Sequence, residues 1–164
     1  MNFSVRELID ILRQEREIYE KIFHIEEEKS EFIIQRDGKS IQELSLSQEK
    51  FLKVIESLEN KRIALMKVYK SAKQSRGEIT LQDIIEADNT HGEIVKQAGI
   101  DLKNILLKVT KVQDLNSQLL IDNMEFYDII ISGLKNSSAV RSGYGSDGKE
   151  KVGAVNPVLF NIKA

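Results

Sequence analysis

The residues able to do chemistry are few and badly placed for it. His24 and His91 are the only histidines, and there is no cysteine. A helical di-iron site needs Glu-x-x-His pairs on facing helices. The nearest approach is Asp88-x-x-His91, present once and in a predicted turn. Glu26-Glu27-Glu28 is an acidic run of the kind that covers a solvated helix face. Gly143-Tyr144-Gly145-Ser146-Asp147-Gly148 resembles a phosphate loop, but Lys149 is followed by Glu150 where a P-loop has Lys-Ser or Lys-Thr, and no strand precedes it. No Gly-x-Ser-x-Gly elbow occurs. The expectation is a protein with no catalytic residues, no metal and no cofactor.

Composition narrows the class further. The 164 residues are 30% charged and 6% aromatic, with one Pro and nine Gly. So few chain breakers predict long helices in an elongated domain. The absence of Cys excludes a disulfide framework and fits a reducing compartment. The longest apolar run is Ile63 to Met66, too short to span a bilayer. The charged start, MNFSVRELIDILRQERE, has no signal-peptide core. With a net charge of −2 and basic residues interleaved with acidic ones, there is no bulk attraction for nucleic acid or for an anionic membrane. A soluble cytoplasmic protein is expected.

The elements follow from hydrophobic spacing. About Ser4 to Arg36, apolar residues recur at steps of three and four, with Ser4 and Glu7 as a capping box and Asp37-Gly38 as the stop. About Ser40 to Arg76, the series Ile41, Leu44, Gln48, Phe51, Ile55, Leu58, Arg62, Leu65, Tyr69, Ala72 alternates three and four without a break, opened by Ser40 and Glu43 and closed by Gly77. Thr80 and Asp83 start a short helix over about 80–87. From about Gly92 to Asn136 the series Val95, Ala98, Leu102, Ile105, Val109, Val112, Asn116, Leu119, Asn123, Phe126, Ile130 keeps the same alternation. None of these one-striped helices is stable alone. The expected fold is all-α: an elongated antiparallel three-helix coiled-coil bundle over residues 1–136, with a short connecting helix and a mobile C-terminal tail over 137–164.

Two features carry information beyond the fold. Gln48, Arg62, Asn116 and Asn123 sit where heptads want hydrophobes. Such residues set register, or they border a surface used by a partner helix. The tail has a net charge of +2, four of the nine Gly and the only Pro, yet it ends VGAVNPVLFNIKA. Val158, Leu159 and Phe160 must pack back on the helices or meet a partner.

Together these pieces resemble the FlgN family of flagellar type III export chaperones. Leu58-Glu59-Asn60-Lys61-Arg62 is similar to the family's L-E-x-x-R on the second helix. Ile79-Thr80-Leu81 through Ile85 resembles its inter-helix segment. Asn116-Ser117-Gln118-Leu119-Leu120 resembles N-x-x-L-L of the last long helix, and Tyr144-Gly145-Ser146-Asp147-Gly148 resembles Y-G-x-D-G of the tail, the most specific match. The resemblance implies a cytoplasmic, non-enzymatic chaperone. It implies binding to the C-terminal helical regions of the hook-filament junction proteins FlgK and FlgL through the C-terminal part of the chain. It also implies docking of a tail tyrosine, here Tyr144, on the export gate protein FlhA.

An amphipathic helix captured in a groove beside the third helix, completed by the tail, supplies a mechanism. Ordering the tail on binding keeps affinity moderate and release possible. Candidate contacts are Asn116, Leu119, Leu120, Met124, Tyr127, Ile131 and Leu134, with Tyr144, Gly145, Val158, Leu159 and Phe160 in the tail; the helical ones serve equally well as ordinary core. The alternative is a self-assembling coiled-coil structural or adaptor protein, suggested by the strict heptads of the second and third segments.

Overall fold

A computed structural model describes residues 2–123. Those residues form four helices, α1 Val5–Gln35, α2 Gly38–Ala72, α3 Leu81–Ala87 and α4 Gly92–Asp122, with turns at 36–37 and 88–91 and a longer loop over 73–80. The remainder of the expected third long segment, 124–136, and the tail lie outside the described residues. Among the described residues, no helix is long and apolar enough to cross a membrane.

The first cap is as the sequence predicts: the Ser4 hydroxyl accepts from the Glu7 backbone N–H. The α1–α2 turn is tighter than expected. The left-handed residue is Arg36 (φ 59°), not Gly38. Its N–H donates to the Ile33 carbonyl, and the Asp37 N–H donates to that of Phe32 at 2.9 Å. These bonds satisfy carbonyls that the end of α1 leaves open, offsetting the left-handed backbone of a non-glycine residue. Asp37 rather than Ser40 then opens α2, accepting from the Ser40 N–H and from its hydroxyl at 2.7 Å. The Ser40 hydroxyl, then its amide, holds the Asp37 carboxyl below the usual carboxylate range. α2 stops at Ala72, short of the expected Arg76, where Gln74 turns left-handed (φ 52°).

α3 carries the expected capping box: the Thr80 hydroxyl accepts from Asp83 N–H, and the Asp83 carboxylate accepts from Thr80 N–H at 2.7 Å. α4 follows at close range. A Cβ at Gly92 would lie 2.4 Å from the Ile85 carbonyl oxygen, so only glycine fits beneath the last turn of α3.

The long helices pack through α1. Glu15 meets Arg62, Glu26 meets Gln48 and Ile33 meets Ile41, so α2 runs antiparallel to α1. Arg13 and Arg16 share a groove with Ile94 and Gln97, while Glu26 meets Gln113 and Asn116, so α4 runs parallel to α1. The main core joins Leu8, Leu12, Tyr19 and Ile22 of α1 to Ile55, Leu58, Leu65 and Tyr69 of α2, Ile84 of α3 and Val95, Leu102, Ile105 and Val109 of α4. Of the predicted α2 seam, Ile41, Gln48, Ile55, Leu58, Leu65 and Tyr69 are buried, Leu44, Phe51 and Arg62 half-buried and Ala72 exposed. Of the α4 seam, Val95, Ala98, Leu102, Ile105, Val109 and Asn116 are buried, Val112, Leu119 and Asn123 half-buried, and Phe126 and Ile130 lie outside the described residues. A second, smaller cluster, Ile33 and Ile41 with Phe32, Leu119 and Leu120 packed against them, closes the far end.

Candidate partner-binding site

The sequence places the candidate contacts on the last long helix and the tail. The structure describes three of them. Asn116 is buried on the core face of α4 (5% exposed) and Leu119 and Leu120, one turn on, are half-buried against Ile33 and Ile41. Met124, Tyr127, Ile131, Leu134, Tyr144, Gly145, Val158, Leu159 and Phe160 lie outside the described residues. Ile121 and Leu115 point outward, about half exposed, so this end of α4 is apolar on two faces.

Asn116 belongs to a buried polar layer centred on a residue that the sequence reading misplaced. Glu26, expected on a solvated face with Glu27 and Glu28, is 4% exposed; its two neighbours are exposed as expected. One carboxylate oxygen accepts from Gln48 Nε2 (2.6 Å) and Gln113 Nε2 (3.3 Å), the other from Asn116 Nδ2 (2.9 Å). Asn116 Nδ2 also donates to the Glu26 backbone carbonyl at 2.8 Å, and Ser30 Oγ donates to Asn116 Oδ1 at 2.5 Å. Lys29 donates to Gln48 Oε1 and stands 3.5 Å from the Glu26 carboxylate. Burial pulls the Lys29 ammonium below the usual lysine range, and Glu26 opposes that shift. The layer joins all three long helices and meets the rule that a buried charge be paired and hydrogen-bonded.

A second buried polar group lies eleven residues earlier on α1. Glu15 is 2% exposed, and its Oε1 accepts from Arg62 Nε at 3.1 Å. Glu59 approaches the same guanidinium at 3.7 Å. Glu15 Oε2 is buried with no hydrogen-bond partner. Burial pushes the Glu15 carboxyl above the usual range, partly offset by Arg62. Burial likewise raises Glu59 and the Tyr19 phenol.

Sequence reasoning singled out Gln48, Arg62 and Asn116 but not Glu15 or Glu26. The signal was present: Leu8, Leu12, Glu15, Tyr19, Ile22, Glu26, Lys29 and Ile33 follow the three-four alternation.

The histidines stay apart. His24 is exposed beside Glu27, at 3.2 Å. Asp88 is engaged by the turn before α4, accepting from the Thr90 and His91 backbone N–H groups at 2.9 and 2.8 Å. Those bonds, His91 first, hold its carboxyl below the usual range. Among the described residues, no three potential metal ligands gather.

A search of curated proteins and a search of solved structures each return no match. The family model described as "FlgN protein" matches residues 1–151, which takes in all the described helices and Tyr144–Gly148. The chain therefore belongs to the FlgN family, the flagellar export chaperones.

Proposed function

We propose that this chain is a cytoplasmic, non-enzymatic chaperone that binds the C-terminal helical regions of the hook-filament junction proteins FlgK and FlgL, prevents their premature assembly and delivers them to the export gate through FlhA. Its long helices act as an elongated coiled-coil scaffold in which α2 runs antiparallel and α4 parallel to α1. Asn116, Leu119 and Leu120, continued by Met124, Tyr127, Ile131 and Leu134, form the capture surface. The tail residues Val158, Leu159 and Phe160 complete it, and Tyr144 and Gly145 meet the gate. The observation that carries the reading is the end of α4, where Leu119 and Leu120 are half-buried and Leu115 and Ile121 open to solvent. An amphipathic helix laid along such a surface covers apolar area without needing a deep pocket.

Calorimetric titration of the full chain with purified FlgK and FlgL C-terminal segments tests this. Micromolar or tighter binding, weakened at least about tenfold (1.4 kcal/mol) by Leu119→Ala/Leu120→Ala, is expected. No heat with either segment would defeat it. Tyr144→Ala should leave that titration unchanged and reduce binding to FlhA.

One observation favours a second reading. Ile100, Leu107, Leu115 and Ile121 leave an apolar stripe on the outer face of α4, each at least 42% exposed. Such a stripe would serve a self-assembling coiled coil. Sedimentation separates the two: a concentration-independent monomer removes the scaffold.

A further inference from the structure

The two apolar clusters are separate, and the polar layer stands between them. On the Val5 side of Glu26 lies the whole main core. On the other side the buried hydrophobics among the described residues are Ile33 and Ile41. Among the described residues, the ties holding the end of α4 there are the Asn116 and Gln113 bonds to Glu26, the Ser30–Asn116 bond and the packing of Leu119 and Leu120. Most are bonds that water replaces on opening, so little apolar area opposes separation. The α1–α2 hairpin keeps its own ties in that event. Glu26 retains Gln48 and Lys29, and Arg36, Asp37 and Ser40 keep the turn closed. No buried charge is stranded by the movement.

The geometry points to a latch: residues 113–122 of α4 leave the α1–α2 hairpin as one unit while the main core stays folded, and the groove they vacate takes an amphipathic helix bearing a carboxamide three and four residues before a leucine pair. The occupant is defined by what sits there now. Asn116 supplies the amide that Glu26 and Ser30 hold, and Leu119 and Leu120 cover Ile33 and Ile41. A helix presenting the same side chains in the same order satisfies every group that the departing turns expose. The outward-facing Ile34, 68% exposed on the same turn of α1 as Ile33, offers further apolar area that α4 leaves uncovered.

Hydrogen exchange on the full chain tests the first half. Amides of residues 113–122 should exchange together, at least about 100-fold faster than those of 102–109. Protection that rises smoothly from Asn123 inward is ordinary fraying and overturns the latch, as does protection equal to that of the main core.

The second half is tested with a labelled peptide of the chain's own residues 111–123. It should bind the full chain carrying Leu119→Ala/Leu120→Ala at least about tenfold more tightly than the unaltered chain, whose own latch competes. The same peptide with Asn116→Asp, which sets a carboxylate against Glu26, should not bind. Unchanged exchange protection at residues 95–109 verifies that the altered chain is folded. Equal or weaker binding to the altered chain, or binding by the peptide carrying Asn116→Asp, overturns the groove. Because the probe is the chain's own sequence, these outcomes are independent of whether FlgK and FlgL are partners.

Discussion

The two sides of Glu26 are built differently from similar helices. Toward Val5, side chains from four helices converge, and Leu8, Leu65, Val95 and Val109 are wholly buried. Toward Gln35 the same three long helices continue, among the described residues, with two buried hydrophobics and a ring of amides around a carboxylate. Burying a large aliphatic side chain stabilises by about 1.5–3 kcal/mol, whereas a hydrogen bond nets about 0.5–1.5. One region is therefore built to stay shut. The other is built to be specific about what it holds.

The largest expected effect breaks the shut region at the buried Glu15–Arg62 pair. Arg62→Leu strands the buried Glu15 and should lower unfolding free energy by about 3–5 kcal/mol in urea titrations. Replacing both partners, Glu15→Leu with Arg62→Leu, should recover most of that loss, since two buried charges cost more to desolvate than they return. A double variant as weak as the single would show that the pair is net stabilising.

Next come cavities on either side of the layer. Leu65→Ala should cost about 2–5 kcal/mol. Leu120→Ala, truncating a half-buried side chain, should cost about 1 kcal/mol. Equal costs would erase the distinction between the regions.

A smaller effect follows from pH. Burial raises the Glu15 carboxyl above its ordinary 4.5, with Arg62 opposing. A raised folded-state value means that Glu15 contributes stability below the unfolded value and that this is lost as pH rises through the folded one. Melting of the natural chain relative to Glu15→Gln should therefore shift in favour of the natural chain as pH is lowered from neutrality toward the unfolded-state carboxyl value. A gap that does not move with pH would show that Glu15 does not titrate there. Smallest of all, Leu107→Lys on the outer face of α4 should change stability by less than about 0.5 kcal/mol, unless that face is an interface.

The long helices were legible because their apolar spacing is the helical period, and the buried positions of α2 and α4 are largely those of the seams. The boundaries were less so. Gly38 attracts a left-handed assignment, but with two residues between α1 and α2 the hydrogen bonds from Arg36 and Asp37 decide where the helix stops. Glu26 illustrates the limit at the candidate site. Beside Glu27 and Glu28 it looks solvated, and its burial is explained by Gln48, Gln113 and Asn116, which lie 22, 87 and 90 residues away. Asn116 could be flagged as an oddity in its seam. That its partner was a carboxylate on another helix could not be read from either local pattern.

The separation of those partners along the chain also orders assembly in time. Lys29 and Gln48 stand 3 and 22 residues from Glu26, so a growing chain can form the α1–α2 hairpin with the carboxylate already engaged long before Asn116 is made. Nearby contacts form before distant ones because closing a longer loop loses more entropy. α4 is then added to a surface that is already polar-satisfied. Until Leu119 and Leu120 have been synthesised, α4 has nothing with which to cover the Ile33 and Ile41 edge.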